Sequence, residues 1–176
     1  MYIWIGCKLP ESFEQEIRSR CLMLNEEIGL NTAAFSLPQH ISLKISFDAE
    51  PYEAVLEDLA AYLSQQMPFS VFVQNPVQEG NILWLPVAEN RELERLHREL
   101  DTRIETRFGV PQHPFDKAFW FHSTLFMDED MEKVAQMEKL LSDYPIEQQL
   151  SVDTFLLGLS ETGKAGTYRV VRQIKV

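Results

Sequence analysis

Basic charge is what this chain has least of. Sixteen Lys and Arg stand against 27 Asp and Glu, a formal net charge of −11 over 176 residues. A protein that grips long nucleic acid through its phosphates needs a basic surface, so a long nucleic-acid tract is not expected as a partner. A small phosphorylated ligand in a local pocket stays compatible with the acidity. Cysteine is nearly absent too. Cys7 and Cys21 have no metal-ligand spacing, and no cluster of carboxylates or histidines has it, so neither a metal nor a cofactor is expected. Cys7 reads as a buried strand residue and Cys21 as a helix residue of a reduced, cytoplasmic protein. No apolar run approaches the roughly 18 residues that a membrane span needs. "MYIWIGCKLP" has neither a basic leader nor a long apolar region, so no signal peptide is expected. Heptads are missing, and a monomer is the default expectation. No RNP-like aromatic-basic motif occurs, which disfavours a pair of RRM-like RNA-binding sheets.

What is there suffices for a real core. The chain is 45% hydrophobic and 11% aromatic, which suits one domain over residues 1–176, built as two small, intimately packed lobes. "YIWIGC" is β-branched and aromatic, a strand that Pro10 ends. Phe13, Ile17, Cys21, Leu24 and Ile28 then recur at helical spacing, with Glu11 or Ser12 at the start and Gly29 where a C-cap belongs. A polar loop leads to a strand, "PQHISLKISF", then a helix after Pro51 and a strand at "FSVFVQNP". The second half repeats this order: strand "NILWLPV", a helix with Leu93, Leu96, Leu100 and Ile104 on one face, Gly109, a Pro-rich loop, and a strand in "FWFHSTLFMD". A helix opened by the acidic group Asp128 to Asp130 follows, then strands "LSVDTFLLGLS" and "TYRVVRQIKV". The repeat is one of element order, since residue identity between the halves is slight. It predicts an α+β fold of two similar lobes, each a mostly antiparallel sheet with helices on its outer face, and a cleft between the free faces.

Each half carries a histidine followed two residues later by a hydroxyl: His40 and Ser42, His122 and Thr124. Successive strand residues point to opposite faces. His40, Ser42, Lys44 and Ser46 therefore share one face, while Ile41, Leu43, Ile45 and Phe47 share the core side. In the second strand Trp120, His122, Thr124 and Phe126 share a face, with a less clean alternation. The plus-two hydroxyl lies about 7 Å along the strand on the imidazole's side, so both can touch one tetrahedral anion. One such pair is commonplace, and two at matching places are not. The other histidines serve as controls: His97 reads as the edge of a buried helix stripe, and His113, in "PQHPFD", as a loop residue because Pro114 interrupts strand pairing.

"HISL" and "HSTL" resemble the paired signatures of the 2H phosphoesterase superfamily. Within it the chain is similar to the 2′–5′ RNA ligase and cyclic phosphodiesterase branch. The resemblance covers nearly the whole chain, including "KLPE", "ILWLPV" and a final Tyr-containing strand. It implies two lobes related by a pseudo-twofold axis, one histidine-hydroxyl pair from each facing a central cleft, and a metal-independent hydrolysis of a cyclic phosphate. The substrate it implies is a 2′,3′-cyclic nucleotide or short RNA end, opened to a 2′-phosphomonoester, with 2′–5′ ligation as the related transesterification. His40 and His122 would be general acid and base in an order left open. Ser42 and Thr124 would hold the phosphate oxygens. Lys44 could add positive charge near the phosphate or be a solvated rim lysine. Trp120 could stack on a base or pack between lobes. Tyr168 stands where the family commonly has an aromatic in its last strand. The rival readings are a phosphate- or nucleotide-binding module without turnover, and a structural α+β protein with no site.

Overall fold

The computed structural model describes residues 1–176. Strand β1 (Tyr2–Lys8) is buried along Ile3 to Cys7, so both of its faces must be covered. Helix α1 (Glu11–Ile28) buries Phe13, Ile17, Cys21 and Ile28 of the expected stripe, with Asn25 buried in place of the expected Leu24, which is half-buried, and ends at Gly29 with φ 74°. That left-handed turn favours glycine, and the Gly29 N–H caps the Asn25 carbonyl. After a 3-10 turn (Ala33–Ser36) come β2 (His40–Ser42) and β3 (Phe47–Asp48), then α2 (Tyr52–Leu63) and β4 (Phe69–Val73).

The second half is built alike. A short strand not expected from the sequence, β5 (Val77–Glu79), precedes β6 (Ile82–Pro86). Helix α3 (Arg91–Phe108) has the same 18-residue length as α1 and also ends on a left-handed glycine, Gly109, with φ 69°. Asn90 caps its start, accepting from the N–H groups of Glu92 and Leu93. A 3-10 turn (Pro114–Ala118) leads to β7 (His122–Met127) and α4 (Met131–Leu141), whose first turn is capped by Asp130. "LSVDTFLLGLS" is two strands, β8 (Gln148–Val152) and β9 (Thr154–Ser160), broken at Asp153 and sent to different sheets. β10 (Arg169–Lys175) returns antiparallel to β9.

All strand pairs are antiparallel. One sheet runs β10-β9-β1-β2 with β3 also on β1, a second pairs β4 with β8, and a third runs β5-β6-β7. The last two meet where Gln74 N–H donates to Pro86 O at 2.8 Å and Ala88 N–H to Phe72 O at 2.9 Å. The two lobes do not coincide with the two half-chains, because the halves exchange strands. β1 needs a partner on both edges, and the apolar β9, buried from Phe155 to Ser160, supplies one. β4 from the first half pairs instead with β8 from the second. A continuous apolar core joins residues of both lobes, from Ile5 and Ile41 to Leu125 and Leu157.

The strand predicted over His40 to Phe47 is interrupted. Ser42 pairs with Gly6 but Phe47 with Ile3, so two extra residues bulge out between β2 and β3. The bulge turns Lys44 inward, where its Nζ sits 2.6 Å from Asp101 Oδ1 and 2.8 Å from Asp116 Oδ2 and is 3% exposed. Asp116 also accepts from Ile45 N–H at 2.9 Å. His97 lies in the same cluster, its Nδ1 2.7 Å from Leu43 O and Nε2 2.9 Å from Asp116 O, stacked on Phe119. It is thus a buried structural histidine beside the apolar stripe of α3, bonded at both ring nitrogens. Neither face of the cleft receives the lysine, because two buried carboxylates hold it. Lys44→Met leaves those carboxylates without their cation. The expected loss of stability is about 3–5 kcal/mol in urea unfolding, whereas a solvated lysine would cost less than about 0.5 kcal/mol.

Candidate active site

The two histidine strands meet at their motifs. Ser123, next to His122, donates from Oγ to Gln39 Oε1 at 2.8 Å, and Gln39 is next to His40; both are buried. Ile41 of β2 and Leu43 just after it enter the core and leave His40 and Ser42 half-buried on the other side. On β7, Ser123 and Leu125 are buried and His122 and Thr124 half-buried. A register shift opposite Leu83 and Trp84 turns Phe126 into the core against Phe35, which explains the uneven alternation of that strand.

Both imidazoles are held in the same way. His40 Nδ1 lies 2.6 Å from Pro38 O, and His122 Nδ1 lies 2.7 Å from Trp120 O. A carbonyl only accepts, so each Nδ1 carries the hydrogen. Each Nε2 is then the nitrogen left for chemistry. A tryptophan from the neighbouring strand braces each ring: Trp4 meets His40 edge-on at 4.3 Å, and Trp84 lies 4.0 Å from His122 at 47°. Neither tryptophan is among the site residues expected from the sequence. The signal available is alternation, since Trp4 is flanked by core-facing Ile3 and Ile5, and Trp84 by Leu83 and Leu85.

Burial tunes the pair. Desolvation drives the His40 pKa down to about 4, opposed by its bond to Pro38 O and assisted by the nearby His122. Desolvation also lowers His122, again against a bond to backbone carbonyl, that of Trp120. A bound phosphate would act the other way, since an anion close to Nε2 favours the imidazolium.

A cavity of about 220 Å³ lies at this junction. It takes His40 from one motif and Thr124 from the other, with Trp4, Leu37, Met127 and Tyr168 among its walls, and no charged side chain lines it. Tyr168 sits just before β10 and donates from its hydroxyl to Gly163 O at 3.3 Å. His122 is outside this lining, on the side of Trp84 and Trp120. Trp120 is 68% exposed and touches Trp84 edge-on at 5.8 Å, so it forms a rim and does not pack between the lobes. Lys44 is absent from the cleft for the reason given above. His113 is exposed and accepts from Phe115 N–H at the start of the 3-10 turn, the loop role expected of it.

Known structures share this fold. The protein TT0787 of Thermus thermophilus superposes with a TM-score of 0.68 at 18% identity, covering 99% of this chain and 97% of the other. Escherichia coli LigT in its apo form gives 0.61 at 18% identity, with 99% and 96% covered, and LigT has also been solved with 3′-AMP and with NADP+. Usb1 of Kluyveromyces marxianus gives 0.50 at 12% identity, with 99% and 98% covered. At such identities the likeness is one of fold. No curated protein sequence matches significantly. The family model described as the 2′-5′ RNA ligase superfamily matches residues 12–163, which include both histidine motifs. This chain, with its paired histidine strands around one cleft, belongs to the 2′-5′ RNA ligase superfamily of 2H phosphoesterases.

Proposed function

We propose that this protein is a metal-independent phosphoesterase that opens a cyclic phosphate, a 2′,3′-cyclic nucleotide or short RNA end, to a 2′-phosphomonoester. The observation that carries this reading is the pinning of both Nδ1–H groups on backbone carbonyls. It leaves two free Nε2 atoms on strands tied together at Gln39 and Ser123. One imidazole takes a proton from water as its oxygen attacks phosphorus. The bond from phosphorus to the 3′ oxygen breaks, and the other imidazole protonates that oxygen. Ser42 and Thr124 hydrogen-bond the non-bridging oxygens and hold the anion in line. Replacing water by a 5′-hydroxyl gives a 2′–5′ linkage by the same proton transfers. The uncharged cavity wall beside His40 suits a nucleoside, with Tyr168 as a contact. Trp120, exposed at the rim, is free to cover a base. The nucleotides bound in the LigT complexes are consistent with a ligand of this size.

In EDTA, wild type is expected to convert nucleoside 2′,3′-cyclic phosphates to 2′-phosphates. His40→Ala and His122→Ala should each lose about 10²–10⁴-fold in kcat. Ser42→Ala and Thr124→Ala should lose about 10²-fold. A folded wild type that binds nucleotides without turning over any cyclic phosphate would mean a binding module instead.

The pH dependence follows from the burial of the rings. One imidazole must be neutral and the other protonated, so kcat/KM peaks between the two free-enzyme pKa values. Both are below the ordinary histidine value, with His40 near 4. The profile is expected to be a bell whose alkaline limb falls away below about pH 6.5. A plateau extending past pH 7 would contradict it.

A further inference from the structure

Trp4 does more than brace His40. It lies on the cleft side of β1 yet is only 6% exposed. The reason is a bed of two glycines. A Cβ at Gly6 would stand 2.7 Å from Trp4 Cζ2, and one at Gly158, which pairs with Trp4 across β1 and β9, 2.6 Å from Trp4 Cε3. The indole therefore rests flat on the backbone of two strands, with little room to turn. In that pose its Nε1–H donates to Ser42 Oγ at 3.1 Å.

An indole N–H can only donate. It occupies a lone pair of Ser42 and leaves the hydroxyl hydrogen for another partner. No protein group takes that hydrogen, since the bond from Trp4 is the only one Ser42 Oγ makes within the chain. A phosphoryl oxygen is acceptor-only and is the partner such a hydroxyl suits. The other half lacks this device. Trp84 pairs with Thr124 across β6 and β7 and packs on His122, but makes no hydrogen bond to Thr124. The two half-sites are thus chemically unlike: one hydroxyl is set as a donor and the other is free to rotate.

We propose that Trp4 is a positioning residue that fixes Ser42 as a hydrogen-bond donor to the substrate's phosphoryl oxygen. The inference rests on the phosphoesterase reading above. A donor held in place spares the reorganisation that a freely turning hydroxyl must undergo, so its benefit is realised chiefly in the transition state.

The test is a double-mutant cycle on a nucleoside 2′,3′-cyclic phosphate with Trp4→Phe, Ser42→Ala and both. Phenylalanine keeps a ring over the glycines and removes the N–H. Trp4→Phe is expected to lower kcat about tenfold with KM little changed. In the Ser42→Ala background the same replacement should change kcat less than about twofold. An equal loss in both backgrounds would make Trp4 a packing residue and overturn the proposal while the function stands. A second readout needs no turnover. The indole N–H resonance that disappears in Trp4→Phe should shift in Ser42→Ala; an unmoved resonance overturns the proposal. Wild type that neither turns over nor binds these nucleotides would overturn the functional reading and the proposal with it.

Discussion

A buried hydrogen bond, Ser123 Oγ to Gln39 Oε1, stands where the two histidine strands meet. Everything the cleft can do depends on that meeting. Each bonded residue is the chain neighbour of a histidine, and strand alternation turns the two imidazoles away from the side on which the bond is made. The apolar residues around it, Ile41 and Leu125 among them, are fully buried. Water cannot compete for the amide and hydroxyl there, and leaving either unpaired would carry a desolvation penalty. The tie therefore fixes which residues of two distant segments share one cleft.

Charge is handled in two separate compartments. The buried cation Lys44 is neutralised by Asp101 and Asp116 behind β2. The cavity in front of it has no charged wall. Its polarity comes from the His40 imidazole, the Trp4 indole, the Asn31 amide and the hydroxyls of Ser36, Thr124 and Tyr168, groups whose hydrogen bonds depend on direction. In such a setting the orientation of each hydrogen matters more than net charge. Backbone carbonyls orient both histidines, and an indole orients one hydroxyl.

Several features are legible in the sequence because they are local. The two 18-residue helices announce themselves by apolar spacing and by the glycines that end them. The histidine-hydroxyl pairs are visible because alternation has a period of two. Tyr168, singled out by resemblance, does line the cavity. Lys44 departs from expectation because alternation does not carry through a bulge that is held by residues far along the chain, Asp101, Asp116 and His97. Trp120 stands at the rim instead of against the other lobe, since a large apolar ring says nothing about which loop carries it. Trp4 and Trp84 look like ordinary strand residues, their role depending on registers with β2 and β7.

The α+β class, the repeated element order and the two histidine-hydroxyl pairs belong to the sequence itself, because each arises from periodicity over a few residues. The exchange of β4, β9 and β10 between the lobes, the bond of Gln39 to Ser123 and the glycine bed under Trp4 were decided only by the tertiary structure. Each joins residues tens of positions apart, and such a choice of partner follows from which buried edges and polar atoms must be satisfied once the whole chain is compact.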